Sequence, residues 1–447
     1  MVIVDTGSTD DTPQLARSHG AEVHHLPWPE DFSAARNAAL KKATGKWVLV
    51  LDADEVLVHA EVLQTLCKRP DTLYQIKIVS ETAPHESVES YAIRLFPNHP
   101  TLRFTGIIHE QLNTQHVPFE IQRAEELHIH HTGYLPEQMV LKQKIQRNLH
   151  LIHKSLKVNP RNGFQWFNLG VTLHTQGHLT DAKTALEKGL KESPPEATYL
   201  SAACALLLNI YIQQEQLKNG LQFAHEHLST ANHHPDYWLN LGTLYLHNAQ
   251  PEQAISAFEK ALALKHNPAH LKSQATQNWQ PLAGLGMAYR QLGQHTAALK
   301  AFEEASGLAP DHPSLLLEAL ELVLELFLEP ACALTLERAT RYVEILEQHR
   351  SYLTLIKQAR YVNGLMRYYE QRLKQNPVDV PALLQLGWLL KEIGAYPEAL
   401  QCFEQAWDAG DQSLKLYNGM GGCLTHMKRY SEAAQVFELA RALNHAG

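Results

Sequence analysis

The feature that most constrains this 447-residue chain is its echo of itself at a fixed interval. Gly387 and Gly421, Ala399 and Ala433, and Phe403 and Phe437 each stand 34 residues apart. Trp166-x-x-Leu169-Gly170 superposes on Trp238-x-x-Leu241-Gly242, and the same shift lays Ala182 on Ala254 and Leu186 on Phe258. Leu285-Gly286, Tyr289, Ala298, Phe302, Ala305 and Pro310 keep these offsets, as do Leu386-Gly387, Ala399, Phe403 and Ala406. A unit of this length holds two helices and a turn. Small residues let the paired helices approach, and large ones fill the gap between them. No pair buries its apolar face alone, so the units must stack into a solenoid.

The period is that of the tetratricopeptide repeat. Five clear repeats begin near Arg161, Asn232, Asn278, Val380 and Ser413, degenerate ones are expected over 198–230 and 314–373, and 266–277 reads as a longer inter-repeat loop. These are packing positions and say nothing of the partner. Composition narrows the class further. The apolar share of 45% with 19% charged residues is that of a water-soluble chain. The greasiest run, Leu315 to Leu328, is broken by Glu318, Glu321 and Glu325, so no transmembrane segment is expected. The net charge of −8 and the scatter of Lys and Arg argue against nucleic acid as a partner. Five cysteines without a CxxC pair indicate neither a disulfide framework nor a thiolate metal site, and Met1 to Asp5 carries no secretory signal. A cytoplasmic protein is expected.

The first 135 residues have a different texture, strand-like and helix-like pieces in alternation. Val2 to Val4 is a β-branched run ending on Asp5, followed by the turn-rich 6–11. A helix over Thr12 to Ser18, capped by Asp11 or Thr12 with Pro13 in its first turn, comes next, and a second runs from Phe32 to Ala43 until Gly45 stops it. Trp47 to Leu51 is an uninterrupted apolar run that suits a strand buried on both faces, and it leads into Asp52-Ala53-Asp54-Glu55. This is an α/β pattern, in which ligands gather at the carboxyl ends of strands, where both acidic clusters stand. Two carboxylates one residue apart at a strand end can hold a hard divalent cation together with a diphosphate.

Val4-Asp5-Thr6-Gly7-Ser8-Thr9-Asp10-Asp11-Thr12, then Ala35-Arg36-Asn37, then Leu51-Asp52-Ala53-Asp54-Glu55, in this order, resemble the family 2 glycosyltransferases of the GT-A fold. Phe104-Thr105-Gly106-Ile107-Ile108-His109-Glu110 and His131-Thr132-Gly133-Tyr134 resemble the bacterial subgroup whose catalytic domain is followed by tetratricopeptide repeats, which includes peptide S-glycosyltransferases acting on bacteriocin cysteines. The resemblance implies a partial GT-A (Rossmann-like) nucleotide-sugar domain over 1–135, a connecting helix over 136–160 and a repeat superhelix, an α-solenoid, over 161–447. It implies that Asp5, Arg36 and Asp52 bind the donor nucleotide, that Asp54 and His131 hold Mg²⁺ or Mn²⁺, and that Glu110 is the general base of an inverting transfer. The donor is then a nucleotide sugar, a UDP-sugar by this resemblance, and the acceptor a peptide or protein brought by the repeat groove.

Each assignment has a plainer counterpart. Asp5 can cap the Gly7 turn, Arg36 can pair with Asp31 or Glu30 on a helix surface, and His109 and Glu110 can be a polar strand end. His128, His130 and His131 cannot all face one ion from a straight strand, because neighbouring residues point to opposite faces. Family members also begin with a further strand and helix that have no counterpart before Val2. A misplaced start, a degenerate remnant or a cloning boundary each accounts for this, with the first expected. The neighbours of that strand would lose backbone partners. A non-catalytic repeat scaffold is the rival function. A nucleotidyltransferase is the third reading, weakened because no Gly-rich phosphate loop bearing a lysine is present.

Overall fold

The computed structural model describes residues 1–83, 86–114, 117–131, 138–264, 272–273, 279–310, 312–326, 339–344 and 359–445. The chain forms two compact units, 1–281 and 282–447.

The first unit opens with β1 (Val2–Asp5), α1 (Thr12–Ser18) and β2 (Glu22–His25), with β1 and β2 paired in parallel. Helix α1 has Pro13 in its first turn, but Asp11 makes no side-chain cap: Asp10 Oδ1 accepts from the Thr12 amide at 3.1 Å instead. Helix α2 (Phe32–Lys42) is capped by Asp31, whose carboxylate accepts from the Ala34 amide at 3.0 Å. Then follow β3 (Trp47–Leu49), β4 (Glu55–Val58), α3 (Leu63–Leu66), and the long strands β5 (Thr72–Ala83), β6 (Glu86–Pro97) and β9 (Glu120–His131), with a short β7–β8 ribbon (Phe104–Thr105, Gln111–Leu112) between β6 and β9. The main sheet runs β6-β5-β9-β4, with β3 antiparallel to β6.

The expectation that Trp47 to Leu51 is buried on both faces does not hold. Trp47 to Val50 are half-buried, and Leu51 is 40% exposed. Among the described residues β3 has a strand neighbour only in β6, and β1 only in β2, so no strand joins the small parallel sheet to the large one. An apolar run with one paired edge cannot be covered as a central strand is. The run borders two buried clusters without being sealed by either: Trp47 and Leu49 pack against Tyr74, Ile76, Leu95, Leu127 and Ile129, and Val48 and Val50 against Leu40, Leu73, Phe96 and Leu102.

Helix α4 (Gln138–Val158) leads into helical hairpins: α5 (Gly163–Thr175) with α6 (Leu179–Glu192), α7 (Leu200–Gln213) with α8 (Leu217–Glu226), and, after the short α9 (Leu228–Ala231), α10 (Pro235–His247) with α11 (Pro251–Leu264). The segment read as a longer loop contributes a short strand, β10 (Lys272–Ser273), antiparallel to the edge of β6; the rest of 266–277 lies outside the described residues.

Helix Gln280–Gln291 begins two residues before the division, and the second unit goes on with helices His295–Leu308, Pro313–Leu326, Ala359–Gln375, Val380–Glu392, Tyr396–Asp408, Leu414–His426 and Tyr430–His445. The consensus glycines show why a hairpin of this type needs them. A methyl group on Gly242 would stand 2.6 Å from the ring of buried Phe258, and one on Gly286 would stand 2.7 Å from that of Phe302. Gly387 faces Phe403 and Gly421 faces Phe437 in the same way. Alanine is the better helix former by about 1 kcal/mol, but overpacking such a seam costs about 1 to 3 kcal/mol. Gly286→Ala is therefore expected to lower the urea midpoint of unfolding. Gly307→Ala, in the same hairpin but with open space around the added carbon, is expected to leave it unchanged or raise it. Equal effects would show that helix propensity, not the seam, decides.

Candidate active site

Helix α2 brings Arg36 to the acidic end of β3. Arg36 Nη2 donates to both oxygens of Asp52, at 2.9 and 3.1 Å, and its Nε donates to Glu110. The plainer reading of Arg36 is thereby excluded, since Asp31 is occupied in capping α2 and Glu30 pairs with Lys154. The neighbouring Asn37 is a clamp. Its amide donates to the Phe104 carbonyl at 2.8 Å and accepts from the Phe104 amide at 2.9 Å, fixing β7 and so the loop that follows it to Glu110.

Two residues of the cluster carried no assignment from sequence. Arg94 Nη2 donates to Glu55 Oε1 at 2.7 Å and lies 3.4 Å from Asp52 Oδ2, while the Asp52 amide donates to Glu55 Oε2 at 2.8 Å. The register of β3 on β6 puts Arg94 there: Leu49 pairs with Leu95, and the Val50 amide donates to the Arg94 carbonyl. Glu55 could have been noticed from its place beside the acidic pair. Arg94, 42 residues beyond Asp52, has no local signal.

The electrostatics follow from this arrangement. Burial works to raise the Asp52 carboxyl, but the charges of Arg36 and Arg94 outweigh it and hold it below its ordinary value of 3.8. Burial likewise works against the Arg36 charge, and Asp52 and Glu110 more than restore it. Three carboxylates, Asp52, Glu55 and Glu110, thus share two guanidinium groups.

Asp54 and His131 meet beside this network. Residue 131, at the end of β9, pairs in register with Glu55, and its Nε2 lies 3.1 Å from Asp54 Oδ2 while its Nδ1 lies 3.1 Å from Ser80 Oγ. His128 goes elsewhere, its ring 5.4 Å from that of His59. Residues 132–134, which with His131 carried part of the family resemblance, lie outside the described residues. Asp5, at the end of β1, accepts from the Ser8 hydroxyl at 2.6 Å and the Ser8 amide at 3.1 Å, and lies 3.4 Å from His25 Nδ1. The Ser8 hydroxyl, more than any other partner, holds the Asp5 carboxyl below its ordinary value. The site therefore brings Arg36, Asp52 and Glu110 into one network and Asp54 to His131, while Asp5 makes its contacts in its own turn and with His25.

A divalent cation suits this chemistry. The Asp54 side chain is about half exposed and converges with a histidine nitrogen. An anionic diphosphate entering beside a surplus of carboxylates needs positive charge, and Mg²⁺-type sites commonly use one or two protein ligands with phosphate oxygens completing the shell. Asp52 is committed to two arginines, and among the described residues no group of three or more His, Cys, Asp or Glu side chains is gathered as for a metal ion, so Asp54 and His131 could supply at most two ligands here.

Residues 1–103 match the family described as Glycosyl transferase family 2, and residues 166–195, 235–267, 281–312 and 384–446 match tetratricopeptide repeat families. A TPR repeat-containing protein of Synechococcus elongatus is 31% identical over 275 residues, covering 59% of this chain and 68% of the relative. The chain belongs to the tetratricopeptide-repeat proteins that carry a family 2 glycosyltransferase domain. The glycosyltransferase SunS, from an SPbeta prophage of Bacillus subtilis, is 28% identical over 225 residues, which is 46% of this chain and 52% of SunS. The same protein of the phage itself gives the same figures. The Arg36–Asp52 pair lies inside the segment matched to the transferase family, whereas Glu110 and His131 lie beyond it. No helix among the described residues is long and apolar enough to cross a membrane.

Proposed function

We propose that this chain is an inverting, metal-dependent glycosyltransferase that moves a sugar from a nucleotide diphosphate donor, a UDP-sugar, to a peptide or protein acceptor recruited by its repeats. The observation that carries the reading is the single guanidinium of Arg36 joining Asp52, at the end of β3, to Glu110, at the end of the loop after β7. In support of the reading, the two carboxylates to which it assigns the donor side and the base lie on the two sides of one fixed charge.

In this scheme Asp52 and Arg36 hold the nucleotide, with Asp5 contributing from the end of β1 in the separate small sheet. Asp54 and His131 hold Mg²⁺ or Mn²⁺, which would supply positive charge to the departing diphosphate. The acceptor atom forms its bond to the anomeric carbon as the bond to the diphosphate oxygen breaks, and the acceptor proton passes to Glu110. The Glu110 side chain is only 10% exposed, so the proton is taken away from bulk water. The repeats supply what this site lacks, a surface long enough to recruit a polypeptide.

Calorimetry with UDP, with and without Mn²⁺, tests the donor half. Binding that requires Mn²⁺ and disappears in Asp54→Ala is the expected result. Metal-independent binding that survives this change would remove the metal role from Asp54. No binding of UDP or of any UDP-sugar to the unaltered chain would favour the non-catalytic scaffold.

A further inference from the structure

The loop that delivers Glu110 is strained, and one of the elements holding it belongs to the first repeat. Gly106 has φ of 105° and His109 φ of 54°, the left-handed region that a side-chain-bearing residue rarely adopts. Such a conformation persists where its surroundings over-determine it. On the transferase side the Phe32 amide donates to the Ile107 carbonyl at 2.9 Å, and Asn37 clamps Phe104. On the other side Ile108, 3% exposed, is sunk among Leu151, Ile152 and Leu156 of α4, Leu169 of α5 and Ala185 of α6. Its carbonyl accepts a 2.9 Å hydrogen bond from Gln165 Nε2, on the first turn of α5.

Gln165 is an expensive residue for a packing role. It is 2% exposed, and among the described residues its buried Oε1 has no hydrogen-bond partner. Leaving such a group unpaired costs stability that an apolar side chain of the same shape would not. What the amide provides in return is the bond to Ile108. Its own place is fixed, because the Asn162 cap accepts from the Gln165 amide nitrogen at 3.1 Å and sets the start of the helix.

Building on the transfer reading above, we propose that the first tetratricopeptide repeat is part of the active site, with Gln165 as a positioning residue that holds the 106–110 loop so that Glu110 faces the reacting atoms. Gln165 touches neither donor nor acceptor. It acts two residues away from the base, through the backbone.

The test compares Gln165→Met with the unaltered chain, using the release of UDP from a UDP-sugar that calorimetry shows to bind, with water as the acceptor that takes the sugar. The expected result is a fall in kcat of about ten- to a hundredfold, the scale of a displacement of about 1 Å at a reacting group. The KM for donor and metal-dependent UDP binding stay unchanged, because the donor contacts sit on α2 and β3. Gln165→Glu supplies the rescue. A buried carboxylic acid donates to the Ile108 carbonyl only while protonated, so the ratio of its kcat to that of the unaltered chain should climb as the pH is lowered from 8 to 6. The same ratio for Gln165→Met should stay flat. Hydrogen exchange at amides 106–110 should rise in Gln165→Met. Unchanged kcat with unchanged exchange overturns the positioning role, and so does an equal loss of UDP binding, which would mean general disruption. If the unaltered chain releases no UDP, the transfer reading fails by itself, and the exchange of amides 106–110 still decides the contact: unchanged exchange in Gln165→Met overturns its positioning role. If Gln165→Met does not fold, the pH-dependent rescue in Gln165→Glu decides.

Discussion

Glu110→Gln is expected to lower sugar transfer by about 10² to 10⁴, the usual contribution of a positioned general base, while metal-dependent UDP binding survives. The amide is nearly the same size as the carboxylate and keeps an oxygen that can accept from Arg36 Nε, so the network is strained little. What it loses is the capacity to take a proton. Transfer is read as UDP release with the acceptor present, and binding by calorimetry. Loss of both together would return Glu110 to a purely structural part, and retention of both would move the base elsewhere.

Arg36→Leu should have the broadest effect of any single change in the domain. It removes the one cation that Asp52 and Glu110 share and leaves the latter, with a side chain 10% exposed, without its guanidinium partner. Breaking a buried pair on one side costs about 3 to 5 kcal/mol, and the partial exposure of Asp52 places this case near the lower end. UDP binding should be lost as well. The pH dependence gives a second readout. The Asp52 carboxyl is held below 3.8 in the folded protein, so the pair stabilises the fold fully above that value and less as the pH falls through it. The stability gap between the unaltered chain and Arg36→Leu should therefore be widest near neutrality and narrow below about pH 4. A gap that stays constant into acid would mean that the loss comes from packing of the arginine stem.

The parts legible in the sequence were those written locally or periodically. The repeat glycines and their aromatic partners are separated by a constant step, so Gly286 and Phe302 can be matched from sequence alone, and the structure sets the Phe302 ring where a side chain on Gly286 would have to stand. Asp52, Asp54 and Arg36 stood out because motif spacing marks them. Arg94 did not, because only the pairing of β3 on β6 brings it to Asp52. Asn37 was quoted in a motif without a role, and its role is a pair of hydrogen bonds to a backbone 67 residues away. The apolar run at Trp47 misled for a related reason. Hydrophobicity reports what a strand is suited to, whereas burial depends on how completely the fold covers each face, and here both faces are covered only in part.

Gln165 was legible least of all. It lies between the consensus positions of its repeat, where the 34-residue pattern leaves the residue unspecified. Its tie to Ile108 spans the join between two kinds of architecture.

The socket around Ile108 sets limits on how such a protein can be rearranged by recombination. A crossover near residue 160 would hand the transferase a foreign first hairpin, and with it new side chains in place of Gln165, Leu169 and Ala185. Among the described residues of the first unit, α7, α8, α10 and α11 supply none of the buried side chains around Ile108. A breakpoint after α6 would instead keep the socket whole, because α4, α5 and α6 then travel with the domain that supplies Ile108.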